Sequence, residues 1–187
     1  RLGLLKNKNK SILIGHPTDT KCFKPIKVKK INKTILLSVG GLYKIKGHHL
    51  IIKALKNIID KGYKNIELWI VGEGYYKNYL INLTKELNIT NKVKFLGKKT
   101  HEELAKIYNK ADIFVLANYQ EMTPAVNEAL ACEKPVVVMQ CGGCNFVIPK
   151  QKYGLIAKRF DIEDMANKII FLTKNKKFAK RIALNGR

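Results

Sequence analysis

Glu121 and Glu128 bracket the start of a helix, and the chemistry of this chain is concentrated there. The stretch ADIFVLANYQEMTPAVNEALACEKPVVVM, residues 111–139, reads as buried strand, loop, proline-started helix, turn and buried strand. Residues 112–116 are an apolar run suited to a parallel strand covered on both faces. Thr123 is a good N-cap, and Pro124 a good first helical residue because its missing N–H would be orphaned there anyway. A helix that begins at the C-terminal end of a parallel strand turns free N–H groups and a partial positive charge towards the crevice. Phosphates bind there. Carboxylates on either side of such an anion site suit hydroxyl groups, so a phosphate joined to sugars is the natural ligand. In a hydrolase the two glutamates would be paired acids. The plain alternative is a loop carboxylate and a helix-surface glutamate. The flanking strands and the proline-started helix favour function.

Further candidates lie at other turns. Lys46-Gly47 stands where the first strand's turn enters its helix, as a cation facing a diphosphate or as one more solvated lysine. Gly40-Gly41 and Gly72-x-Gly74 allow close backbone approach, yet neither makes the G-x-G-x-x-G pattern of a nicotinamide dinucleotide site. Cys141-Gly-Gly-Cys144 is a C-x-x-C pair without a second pair at zinc-finger spacing, and His48 and His49 could complete a metal site only if the fold brought them near. It is read as a glycine turn that carries two thiols. His16 and His101 are expected to cap or fill, and Trp69 and Phe114 to pack in strands.

The elements that must position these residues alternate. Strands are expected at 34–39, 66–71, 93–96, 112–116, 135–139 and 155–157. Helices are expected at 47–60, 76–87, after a Thr100/Glu103 capping box, from Pro124, at 161–172 and at 175–184. Strand–helix alternation through short glycine turns means an α/β, Rossmann-like, doubly wound parallel sheet. Right-handed crossovers place the turns at Gly40, Gly72, Gly97, Glu121 and Gly142 on one rim.

The 187 residues hold one full α/β domain, with residues 1–33 as a lysine-rich leading segment and 34–187 as the domain. The first residue is Arg1, which fits a stretch cut from a longer chain. The formal charge is +22, yet only four of the 36 basic residues are arginine, the residue preferred for bidentate base and phosphate contacts. Scattered lysines argue against nucleic acid as a partner and suit an anionic membrane surface better. No apolar run reaches the roughly 18 residues of a spanning helix. Four cysteines without a disulfide framework fit a reduced, cytoplasmic setting, peripheral to the inner face of a membrane if lipid is the partner.

The segments VGGLYKIKGHHLIIKAL, LWIVGEG, VKFLGKKTHEELAKIYNKADIFVLAN, QEMTPAVNEALACEKPVVV and CGG…YGLIA resemble, in order, the donor-binding C-terminal half of retaining GT-B glycosyltransferases of the large GT4, or glycosyl transferases group 1, family. IGHPTDTKCFKP is similar to the hinge that precedes that half, so residues 1–33 would be hinge and linker. The resemblance implies a UDP- or GDP-sugar donor, a glycan or lipid-linked acceptor bound by an N-terminal half, and a hexosyl transfer of the kind used in polysaccharide biosynthesis. It implies that Lys46 neutralises the donor diphosphate and that Glu128 holds the ribose. Met122, Thr123 and Pro124 would form the helix-start loop at the phosphate, Lys98 would lie along the nucleobase, and Glu121 would contact the donor sugar. Gly40 and Gly41 would line the diphosphate. No metal or cofactor is expected beyond the donor itself, because Lys46 and the helix dipole supply the positive charge.

Four positions depart from the family pattern. Gly41 stands where arginine is usual. The glutamates are seven apart rather than eight, with Gln120 in the formal acidic position. Asn145-Phe146 replaces a common proline and glutamate, and the acceptor-binding half is absent. The stretch alone is therefore expected to bind donor at most. A non-catalytic nucleotide-sugar-binding or docking module of the same fold is the alternative.

Overall fold

The computed structural model describes residues 17–29, 31–120, 123–149 and 152–187. Six strands form one sheet: β1 (Thr34–Val39), β2 (Ile66–Val71), β3 (Val93–Phe95), β4 (Ile113–Leu116), β5 (Val136–Met139) and β6 (Gly154–Ala157). All neighbours are parallel, in the order β3-β2-β1-β4-β5-β6. β2 reads IELWIV and is buried at every position, as a strand covered on both faces must be.

Because side chains alternate along a strand, the sheet serves two cores. Leu36, Leu68, Ile70, Val115 and Val137 face α1 (His48–Asp60), α2 (Lys77–Glu86), α6 (Ile162–Lys174) and α7 (Lys176–Gly186). Ile35, Leu37, Trp69, Phe114, Leu116 and Val136 face α3 (His101–Lys110), α4 (Pro124–Ala131) and the short α5 (Cys144–Val147). Trp69 and Phe114 are core residues, as expected. Truncating a fully buried side chain such as Leu37 should cost about 2–5 kcal/mol.

Helix boundaries fall within a residue or two of the periodicity, and the capping box forms as read. Thr100 Oγ1 accepts from Glu103 N at 3.3 Å, and Thr100 N donates to Glu103 Oε2 at 2.9 Å. One expectation changes. Thr123 occupies the N-cap of α4 with extended backbone, but its side chain makes no capping hydrogen bond. The described part of the leading segment is anchored to α3: Phe23 is buried against Tyr108, and Asn109 Nδ2 donates to Lys24 O while Asn109 Oδ1 accepts from Ile26 N.

The chain lays down β1, β2 and β3 in one direction, then returns to place β4 on the other side of β1. Two neighbouring strands whose following connections diverge leave a crevice beyond their carboxyl ends. Here it opens between the turn after β1 and the loop from β4 into α4.

Candidate functional site

Main-chain contacts join the turns at this rim. Gly40 N donates to Val71 O, Gly72 N to Gly97 O, Leu42 N to Glu73 O and Gly142 N to Gln120 O. The expected clustering of the Gly40, Gly72, Gly97 and Gly142 turns on one edge is what the fold shows. Glu121, the fifth of that set, lies with Met122 outside the described residues, so the parts expected of them are not located.

Lys46 closes a short 3-10 turn, Lys44–Lys46, directly before Gly47. Gly47 has φ 68°, and a Cβ there would sit 2.0 Å from the carbonyl oxygen of Ala117. Only glycine lets the turn approach β4 this closely. Tyr119 N donates to Ile45 O at 3.0 Å, which ties the Lys46 turn to the β4–α4 loop. Lys46 is half-buried, and among the described residues it has no ion-pair partner.

Below the Gly40–Gly41 turn lies His48, which is buried and shares a 3.1 Å hydrogen bond between its Nδ1 and Ser38 Oγ. Its Nε2 faces the Gly40–Gly41 backbone without reaching hydrogen-bond geometry. Burial lowers its pKa to about 4, against the opposing pull of the Gly41 and Gly40 backbone. The ring is therefore neutral at pH 7 and adds no charge to the rim. His49 bonds to the Tyr119 hydroxyl instead of approaching the cysteine pair. Among the described residues, no group of three or more His, Cys, Asp or Glu is placed to hold a metal.

The loop into α4 is incompletely satisfied. Asn118 is buried and its Oδ1 accepts from Gln120 N, but among the described residues its Nδ2 has no partner. Thr123 Oγ1 is likewise buried and unpartnered. Buried polar atoms are seldom left so, at a cost of about 1–3 kcal/mol each. Two such atoms flank the helix start where phosphate was expected.

Glu128 sits one turn into α4 and is half-buried. The Tyr108 hydroxyl donates to its Oε2 at 2.8 Å and lies 3.0 Å from Ala125 O. Burial raises the Glu128 pKa more than the Tyr108 hydrogen bond and the nearby His101 lower it. Tyr108 itself is fully enclosed, which with the adjacent carboxylate holds its phenol proton on. Sequence reasoning missed this tyrosine as a functional neighbour. The signal was a tyrosine at an inward helix position, where its hydroxyl must find a partner.

Lys98 is exposed in the turn from β3 to α3, one residue beyond Gly97. A cavity of about 670 Å³ opens beside the crevice, lined by Tyr119, Gln120, Gln140, Cys141, Gly142 and Arg159. Arg159 Nη2 donates to Tyr119 O at 3.3 Å, so a cation reaches the rim from the far side of the sheet. Neither Arg159 nor Asn118 was singled out by sequence: Arg159 lies outside the quoted segments, and Asn118 closes one of them without a charge to mark it. A second concavity, about 510 Å³, lies at the opposite strand ends among Lys33, Thr34, Asp112 and Glu133.

The glycosyl transferases group 1 family profile matches residues 19–187. An uncharacterized glycosyltransferase of Methanocaldococcus jannaschii is 33% identical over 125 residues, a match covering 66% of this chain and 32% of that protein. The structure of a sucrose-phosphate synthase from Thermosynechococcus elongatus superposes with a TM-score of 0.82 at 27% identity, over 90% of this chain and 45% of the other. The Anabaena protein HepE, solved in complex with UDP and glucose, shares the fold at 21% identity and a TM-score of 0.79, over 90% of this chain and 49% of its own. The chain thus spans less than half the length of each of these proteins. Among the described residues, no helix is long and apolar enough to cross a membrane. With the profile covering nearly the whole described chain, and a parallel six-stranded sheet to match, this chain belongs to the glycosyl transferases group 1 family.

Proposed function

We propose that this chain is the donor-binding half of a retaining glycosyltransferase that takes a nucleoside-diphosphate sugar. One observation carries the reading: the start of α4, with Asn118 Nδ2 and Thr123 Oγ1 unpartnered, is strapped to the Lys46 turn by the Tyr119–Ile45 hydrogen bond. A diphosphate in that crevice meets the free N–H groups of the helix start and the Lys46 ammonium together. Glu128, one turn further in, then receives ribose hydroxyls on its carboxylate while Tyr108 fixes its orientation. Lys98 borders the nucleobase. The HepE complex with UDP and glucose supports this ligand class.

Catalysis follows from charge placement rather than from an acid–base pair. Lys46 and the α4 dipole stabilise the negative charge that develops on the leaving diphosphate. The acceptor, a glycan or lipid-linked sugar, attacks on the same face from an N-terminal half that would close over the donor. On that scheme no metal is needed to hold the diphosphate. Turnover needs both halves, so this chain alone binds donor without transferring it.

Isothermal calorimetry with UDP- and GDP-sugars tests the reading. Wild type should bind one nucleotide, and Glu128→Ala should bind about 10- to 150-fold more weakly, the worth of a charge-assisted hydrogen bond. Lys46→Ala should weaken nucleoside diphosphate while leaving nucleoside affinity nearly unchanged. Equal affinities for wild type and both variants would reject the site. A second reading, a docking module without turnover, draws on Gly41 and Gln120, which stand where the family usually has an arginine and an acid. Sugar transfer by the chain joined to an acceptor half would exclude it.

A further inference from the structure

The Cys141–Cys144 turn is not used by the proposed donor site, although it lines the rim cavity. The two sulfurs are 3.3 Å apart and exist as thiols, not as a disulfide. Cys141 is partly exposed, whereas Cys144 is buried behind it. Cys144 Sγ accepts from Cys141 N at 3.2 Å and lies 3.6 Å from Met139 O. Gly143, between them, has φ 78°, which curls the turn so that both side chains meet. Gly142 N donates to Gln120 O at 2.8 Å, so this turn also anchors the β4–α4 loop.

The other two thiols have different surroundings. Burial drives Cys132 up to about 12 and raises Cys22 as well. Contact with the Cys141 thiol and backbone N–H, outweighing burial, brings Cys144 down to about 7. A thiolate is the nucleophilic form, and across the 3.3 Å contact either sulfur can hold the shared proton, so reactivity belongs to the C-G-G-C pair and is delivered by its accessible member, Cys141.

We propose that Cys141 and Cys144 form a reversible dithiol–disulfide modification site that is closed by hydroperoxides and opened by thiol reductants. Cys141, the accessible sulfur, attacks the outer oxygen of the hydroperoxide. The O–O bond breaks, Cys141 becomes a sulfenic acid, and the alkoxide leaves as alcohol with the proton of the Cys141 thiol. Cys144 sulfur then attacks Cys141 sulfur, the S–O bond breaks, and hydroxide leaves as water with the proton from Cys144. Two thiols lose two electrons in all, and one hydroperoxide gains them. Closing the bond draws the sulfurs from 3.3 Å to about 2.05 Å. The movement falls on the turn that carries the Gly142–Gln120 hydrogen bond. Its effect on nucleotide rests on the donor-site reading above, whereas the covalent chemistry does not.

The test is hydrogen peroxide treatment of the whole chain, followed by intact mass and peptide mapping. Wild type and a Cys22→Ser/Cys132→Ser variant should both lose the mass of two hydrogens, map the link to Cys141–Cys144, and recover with dithiothreitol. Cys144→Ser should instead accumulate a dimedone-reactive sulfenic acid at Cys141. A link between Cys22 and Cys132, or Cys141 going straight to sulfinic acid in wild type, would overturn the proposal. UDP-sugar binding by the oxidised form should be about three- to tenfold weaker, as for one disturbed hydrogen bond. Unchanged binding by a fully closed disulfide would overturn the coupling. No nucleotide binding in either state would instead reject the donor reading and leave the disulfide standing.

Discussion

Glu67 and Glu128 lie on the same side of the sheet, and the fold treats their charges in opposite ways. Glu67 is in β2 on the face that carries Trp69. It is nearly fully buried, yet Lys33 and Lys94 bond to its two oxygens and Trp69 Nε1 adds a donor at 3.3 Å. Burial pushes its pKa up, and these partners outweigh it to bring the value down to about 2. Glu128 is half-buried, and among the described residues it has the Tyr108 hydroxyl as its hydrogen-bond partner and His101 nearby; burial outweighs both, and its pKa rises. The first carboxylate is satisfied by the protein. The second is compensated less. A carboxylate whose charge the fold does not compensate is where a ligand should be sought.

Substitutions sharpen that contrast. The largest effect should come from Glu128→Gln, which removes the charge proposed to bind ribose and should lower nucleotide-sugar affinity by about 10- to 150-fold in calorimetry. Thermal melting of the same variant should show equal or higher stability, because the neutral side chain still accepts from Tyr108. A clear loss of stability would mean that Glu128 is structural. Glu67→Gln should do the reverse. Differential scanning calorimetry should show a loss of about 1–3 kcal/mol with donor affinity intact. The loss stays at that level because Lys33 and Lys94 are 44% and 51% exposed and can rehydrate.

Tyr108→Phe should act between the two. It deletes the donor to Glu128 and should cost about 1 kcal/mol of stability. The pH midpoint of nucleotide binding should rise further, since this hydrogen bond lowers the Glu128 pKa. An unshifted midpoint would mean that another group governs binding.

Acid titration of wild type should give the gentlest signal and the cleanest separation. Glu67 has a depressed folded-state pKa, so its stabilisation is present above its ordinary value of 4.5 and is lost as pH falls towards about 2. Glu128 has a raised one, so its contribution to stability is present at low pH and lost as pH rises through the raised value. Nucleotide binding should therefore weaken at a pH where folding is still intact. Affinity and stability falling together would erase the distinction.

Sequence alone carried the sheet because each strand is a short, mainly apolar run, and the turns after β1, β2, β3 and β5 carry glycine. The Thr100–Glu103 capping box and the Pro124 helix start were legible for the same reason, being local. The partners that decide the electrostatics are not local. Tyr108 meets Glu128 across 20 positions, Lys33 meets Glu67 across 34, and Ile26 meets Asn109 across 83. One acid inside IELWIV was a readable sign of a buried pair, since strand interiors rarely carry an unpartnered charge. The Thr123 side chain was misjudged because residue type sets capping ability, while loop path sets where the hydroxyl goes.

Gly72 shows what the rim is built from. A Cβ there would fall 2.0 Å from the carbonyl of Gly40, just as one at Gly47 would strike Ala117. Neighbouring connections thus rest on peptide units, and the outward side chains of Lys98 and Tyr75 are not needed to keep them together. Evolution or engineering can exchange those outward groups while the chassis beneath them stays assembled. The two glycines tolerate no such exchange.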